Sequence, residues 1–161
     1  MRLLLFTGAR RGEILAMRWE WVDFERGFIF PPDSKTGRKP VYLSAPALEI
    51  LTKLPRIEGN PFVICSEAEK KPMADLKRPW ARVCDRAGIE NLRIHDLRHN
   101  FASTGAMGGL SLPMIGKLLG HLRTETTARY SHLADDPVRS ANERIGARLN
   151  AAMRPKMVKV V

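Results

Sequence analysis

Apolar residues recur along this chain mostly at helical spacing, and the pattern predicts a largely helical domain with a little sheet. Leu3-Leu4-Leu5-Phe6 runs straight into Thr7-Gly8, where glycine allows a turn and Thr7 is the candidate cap of a following helix. An apolar start of this kind predicts that the chain begins inside a longer unit. Phe28–Phe30 and Val41–Leu43 read as the strands of a hairpin whose bend holds Pro31-Pro32 and Ser34–Lys39. The prolines place that hairpin at a sheet edge, because proline cannot donate to a ladder. Residues 46–54 have a helical period, Phe62–Cys65 reads as a third strand, and 66–74 as a charged loop. Ala74–Ala87 reads as a helix with Trp80, Val83 and Cys84 inward and Gly88 ending it.

The most informative stretch is Ile94–Ser103, a helix continuing to Met107 before Gly108-Gly109 breaks it. Leu97, Phe101 and Ala102 give it a core-seeking face. The opposite face presents His95 and Arg98, with His99 beside them: a group that exchanges protons and a fixed cation with five donors. Pro113 opens the next helix, with Met114, Ile115, Leu118 and Leu119 apolar, and Gly120 closes it just before His121. Thr124 is a candidate cap for a helix carrying Arg129, Tyr130 and His132. Asp135-Asp136-Pro137 ends that helix. A last helix over about 138–152 aligns Val138, Ala141, Ile145 and Leu149 on one side. The tail 154–161 contains a short β-prone run that is either disordered or docked.

Composition narrows the class. The chain has 161 residues, room for one domain with a real core. Lysine and arginine number 27 against 17 acids, a net charge of +10. A folded domain this basic most often meets a polyanion, first of all nucleic acid. No apolar run is long enough to span a membrane, and the opening lacks the length of a secretory signal. Cys65 and Cys84 match no zinc pattern and read as reduced structural thiols.

Arg10, Lys35, His95, Arg98, His121 and Tyr130 are polar residues at element ends. Their spacing fits no metal site, and there is no P-loop or GxGxxG to hold a nucleotide. Their chemistry suits a phosphodiester. Two arginines can clamp the non-bridging oxygens, histidine and lysine can move protons, and tyrosine can attack phosphorus. Glu13, three residues after Arg10, can fix its guanidinium.

The order of motifs resembles the catalytic domain of tyrosine recombinases, the phage-integrase family. Thr7–Glu13 with Leu15–Asp23 is similar to the family's first motif, and Ser34–Lys39 to its lysine-bearing turn. His95-Asp-Leu-Arg-His99 resembles its HxxR box, Leu118–His121 its third motif, and Ala128–His132 its tyrosine motif. The resemblance covers about residues 3–133. It implies that Tyr130 attacks the scissile phosphate to give a 3′-phosphotyrosyl bond and a free 5′-hydroxyl. Arg10 and Arg98 would bind the phosphate, Lys35 would protonate the leaving oxygen, His95 would assist proton transfer, and His121 would hydrogen-bond the phosphate. Glu13 would support Arg10. His99 and His132 are left as structural residues. No metal, ATP or other cofactor is implied.

The resemblance further implies a mainly α fold with a small antiparallel sheet at one edge, a catalytic domain over 1–152 and a tail over 153–161. The partner would be double-stranded DNA, bound by a homo-oligomer (a tetramer) that can be a monomer off DNA, with no membrane role. The setting would be cytoplasmic and nucleoid-associated, in a bacterial or phage-encoded element. The family's usual N-terminal clamp domain has no room here, so weak, salt-sensitive DNA binding is expected. Two alternatives remain at this point: a helix-turn-helix module over 111–133, and an inactive recombinase remnant.

Overall fold

A computed structural model describes residues 1–32, 40–66, 69–121, 123, 125–133 and 137–153. The lysine-bearing turn with Lys35, the proposed Thr124 cap and the tail 154–161 lie outside the described residues.

Among the described residues the fold is mostly helical. The α-helices are α1 (Arg2–Thr7), α2 (Arg11–Leu15), α3 (Ala45–Lys53), α4 (Lys77–Ala87), α5 (Asp96–Met107), α6 (Leu112–Leu119), α7 (Glu125–Ala128) and α8 (Pro137–Met153). Strands β1 (Val22–Asp23), β2 (Phe28–Ile29) and β3 (Val41–Tyr42) form an antiparallel sheet in that order. The expected hairpin is therefore present as β2–β3, with Phe28 opposite Tyr42, and it gains β1 as a neighbour.

The segment Phe62–Cys65 does not join that sheet. Phe62 bridges Arg18, and the Val63 amide donates to the Met17 carbonyl, so the segment runs beside the stretch after α2. Its end, β4 (Cys65–Ser66), instead pairs with β5 (Glu69–Pro72) inside the segment read as a loop. Backbone pairing of this kind needs no apolar pattern, which is why the charged sequence did not signal it.

Two clusters of buried side chains make up the core. The larger joins Leu3 and Leu4 of α1, Ile14 and Leu15 of α2, Met17, Ile29, Leu43, Ala47, Leu51, Val63 and Leu76. The smaller joins Ala102 and Ala106 of α5 with Ile115, Leu119 and Tyr130. Helix α5 serves both, because Ile94 and Leu97 at its start pack on the larger and Phe101 on the smaller. The candidate residues on α5 thus sit at a seam between two cores.

Helix α4 buries a narrower stripe than its sequence predicts. Trp80 and Cys84 are half-buried, and the Trp80 indole N–H donates to the Leu92 carbonyl at 2.8 Å. Val83, by contrast, is 43% exposed. Helix α8 forms as expected, but Ile145 and Leu149 on its apolar side are 58% and 59% exposed. Among the described residues no helix is long and apolar enough to cross a membrane.

The turn between α1 and α2 is built tightly. Gly8 ends α1 with φ 62°, a left-handed conformation that favours glycine. A Cβ at Gly8 would stand 2.5 Å from Phe101 Cδ1 and 2.9 Å from Leu119 Cδ2. Gly8→Ala therefore combines a strained backbone with overpacking against α5 and α6, a cost of roughly 2–4 kcal/mol. Thermal unfolding followed by circular dichroism should show a midpoint lower by about 10 °C. An unchanged midpoint would mean that the α1–α2 turn yields more readily than its packing indicates.

Candidate active site

Arg98 is the centre of the site. The helical period puts it on the polar face of α5, yet it is only 6% exposed. One guanidinium nitrogen donates to the Gly8 carbonyl at 2.6 Å, and the other terminal nitrogen donates to the Leu119 carbonyl at 2.7 Å. Gly8 caps the C-terminus of α1, and Leu119 is the last residue of α6. The final carbonyls of a helix have no partner within it and carry the negative end of its dipole. Arg98 satisfies two such ends at once, which makes its burial tolerable. A guanidinium has five N–H groups, so donors remain for an anion. Burial first, and then the nearby Arg10, lower the Arg98 pKa, while Glu13 and Tyr130 act in the opposite direction. An incoming anion would offset that repulsion between like charges.

Arg10 stands at the head of α2, where the chain leaves the Gly8 turn. The Glu13 carboxylate accepts from the Arg10 backbone N–H at 2.7 Å and from its guanidinium at 2.9 Å. The second bond is an ion pair with the Arg10 side chain 43% exposed, so Arg10 is aimed but still open to solvent. Thr7 does not cap α2 as its sequence position suggested. Its hydroxyl donates back to the Leu3 carbonyl at 2.6 Å and accepts from the Ala9 amide. Glu13 takes over the capping role because its side chain reaches the first free amide directly.

Tyr130 is not on a helix. Helix α7 ends at Ala128, and Tyr130 sits in a tight turn whose amide donates to the Thr127 carbonyl, before the short 3-10 turn Ser131–Leu133. The turn folds the ring into the smaller core, where the residue is 5% exposed. Its hydroxyl lies 2.6 Å from Nδ1 of His99. Burial raises the Tyr130 pKa, opposed by Arg129 and Arg98. The phenol is therefore protonated at neutral pH. His132, on the 3-10 turn, is exposed.

His95 precedes the first turn of α5, with its ring edge-on to that of His99 at 5.0 Å between centroids. Partial burial, then His99 and Arg98, lower its pKa, so it is neutral at physiological pH. A recess of about 260 Å³ beside it is lined by Leu4, Ala9, Arg11, Ile94, His95 and Arg98. Arg11 is fixed there by an ion pair with Asp75 at 3.0 Å.

His121 follows Gly120, which ends α6 in the left-handed region at φ 64°. Its Nδ1 lies 2.8 Å from the Thr127 hydroxyl, three residues before Tyr130. Gly116 permits this approach, since a Cβ there would be 2.9 Å from Thr127 Oγ1. The structure thus gathers Arg10, Glu13, His95, Arg98 and Tyr130 around one seam. His121 is joined to them through the end of α6 and the α7 turn. Lys35 is outside the described residues.

Sequence reasoning passed over His99 as a partner of the tyrosine. No periodicity links positions 99 and 130, and only the packing of the α7 turn on α5 brings them together. The helix-turn-helix alternative loses its second helix, because α7 spans four residues. Among the described residues no group of three or more His, Cys, Asp or Glu is placed to hold a metal ion.

Comparison with known proteins adds a family. Residues 1–136 match the model described as the phage integrase family. A shufflon-specific DNA recombinase of Escherichia coli is 35% identical over 134 residues, which cover 81% of this chain and 33% of that protein. The catalytic domain of bacteriophage HP1 integrase superposes with a TM-score of 0.65 at 28% identity, covering 88% of this chain and 77% of that one. The crystal structure of a XerA recombinase gives a TM-score of 0.71 at 24% identity, covering 96% and 56%. The chain spans a third to about half the length of the curated relatives it matches.

Proposed function

The chain belongs to the phage integrase family, and on that premise we propose that it is the catalytic domain of a site-specific DNA recombinase, over residues 1–152. It cleaves and rejoins strands through a covalent 3′-phosphotyrosine on Tyr130, in the integration or recombination of a mobile element or prophage. The observation that carries this reading is that buried Tyr130 shares the smaller core with Leu119, whose carbonyl holds the buried Arg98 guanidinium at 2.7 Å.

The proposed roles draw support from the geometry and from the family resemblance. Arg98, held by two backbone carbonyls, and Arg10, held by Glu13, bind the non-bridging phosphate oxygens. Their two charges stabilise the negative charge that grows on those oxygens in the transition state. His121 hydrogen-bonds the phosphate, and His95, neutral at physiological pH, assists proton transfer. Lys35 protonates the 5′-oxygen as it leaves. The phosphotyrosine keeps the energy of the broken bond, so rejoining needs neither ATP nor a metal. The substrate is double-stranded DNA, consistent with a net charge of +10, and strand exchange between two duplexes calls for a tetramer.

Covalent capture tests the reading. The chain is mixed with a labelled pool of nicked duplexes of random sequence, then denatured in SDS and digested with trypsin. The expected product is a DNA adduct on the peptide 130–139, which begins at Tyr130. Absence of an adduct, or an adduct on another peptide, would overturn it.

A further inference from the structure

The hydrogen bond between His99 and Tyr130 is a close contact of the site that these roles leave without a task. His99 follows Arg98 directly on α5, so one turn of helix would supply both the phosphate cation and the partner of the attacking hydroxyl. Nδ1 and Oη are 2.6 Å apart. Tyr130 is 5% exposed, which leaves little water to take up its proton. We propose that His99 is the base that receives the phenolic proton of Tyr130 as the phosphotyrosine forms. The assignment rests on Tyr130 being the nucleophile.

The step balances with the groups already named. Neutral His99, protonated on Nε2, accepts the hydrogen bond of the Tyr130 hydroxyl at Nδ1. Oη forms its bond to phosphorus while the bond from phosphorus to the 5′-oxygen breaks. The phenolic proton passes to Nδ1 and leaves an imidazolium. The departing 5′-oxygen takes a separate proton from Lys35. Rejoining runs the same moves backwards: the 5′-hydroxyl attacks phosphorus and returns its proton to Lys35, and His99 returns its own to Tyr130.

Charged groups surround His99 from more than one element. On α5 it meets the His95 ring and the Asp96 carboxylate, and it follows Arg98 directly in the chain. From the other elements come Tyr130 with its neighbour Arg129, and Arg10 with Glu13 beyond Arg98. Arg98 opposes an imidazolium. Asp96 favours it, the bound phosphate adds negative charge nearby, and neutral His95 adds no repulsion. Burial raises the Tyr130 pKa, so the phenol does not ionise unaided near neutral pH.

The test is single-turnover covalent capture on the nicked-duplex pool, with His99→Asn, His99→Ala and Tyr130→Phe beside the unaltered chain. Asparagine places an amide oxygen near Nδ1, so it keeps a hydrogen-bond acceptor but takes no proton. Both His99 variants should capture DNA about 10²-fold or more slowly. A second pool carries sulfur in place of the bridging 5′-oxygen, a leaving group that needs no acid. It should not restore either His99 variant, because their defect lies in attack and not in departure. His99→Gln, checked for folding by circular dichroism, serves if His99→Asn unfolds. Capture by His99→Asn at the unaltered rate, with Tyr130→Phe silent, would overturn the role of His99 and leave the proposed function intact. Capture by Tyr130→Phe, or none by the unaltered chain, would overturn both.

Discussion

Tyr130→Phe should abolish the SDS-resistant DNA adduct while leaving the fold and the affinity for DNA nearly unchanged. The phenyl ring keeps its place against Ala102, Ala106, Ile115 and Leu119 in the smaller core. What disappears is the hydroxyl and its bond to His99, a net contribution of about 0.5–1.5 kcal/mol. The unfolding midpoint should therefore move by only a few degrees. Chemistry should respond differently, because under the proposed role no covalent intermediate can form without the Tyr130 oxygen. Adduct should drop below detection, at least about 10³-fold, while gel shifts with the same duplexes stay within a few-fold. Only one other tyrosine, Tyr42, is present, and it lies in β3 opposite Phe28. Persistent adduct in Tyr130→Phe would send the search for the nucleophile there or to another residue type.

Arg98→Ala should damage stability and chemistry together, and Arg98→Lys should rescue neither fully. Removing the guanidinium strips the donors from the Gly8 and Leu119 carbonyls, both at helix ends beneath the surface. Hydrogen bonds from a charged group are worth about 1.5–3 kcal/mol each. A loss of roughly 3–5 kcal/mol and a midpoint lower by about 10 °C follow. Lysine restores the charge, but its single ammonium cannot reach two separate carbonyls with the planar fork that arginine supplies. Capture measured well below the midpoint should fall about 10²–10³-fold in either variant, the range for losing one donor to a developing oxyanion. The two effects separate by temperature: a purely structural role would let activity recover on cooling. Full activity of Arg98→Lys at low temperature would show that charge alone suffices at this position.

Much of this arrangement is legible in the chain, in unequal measure. The helices α3, α5, α6 and α8 follow from apolar spacing, and Gly88 and Gly120 mark ends that the structure places in the left-handed region. The hairpin β2–β3 is legible from its aromatic and β-branched runs. Tyr130 is legible as a residue but not as a position, since four residues of α7 and a turn replace the longer helix that the pattern suggests. Arg98 misleads for a physical reason. Periodicity sorts charged residues to the wet side of a helix, and it is blind to acceptors delivered by other elements. Those acceptors had a faint signature, because glycines at 8 and 120 announce helix ends whose last carbonyls want donors. The pairing of His99 with Tyr130 has no local signature at all. It depends on how the α7 turn packs on α5, across 31 positions of sequence.

The tether of Arg98 to two helix ends also decides when its freedom is lost. A mobile arginine side chain carries about 2 kcal/mol of rotamer entropy. For Arg98 that cost falls on folding, through bonds to Gly8 and Leu119, and not on the encounter with DNA. Arg10 differs, since a side chain that is 43% exposed and held by one carboxylate keeps part of its motion until a phosphate arrives. The two cations would therefore have different thermodynamic signatures in calorimetry. In the proposed complex one would come to the phosphate already still, and the other would be stilled by it.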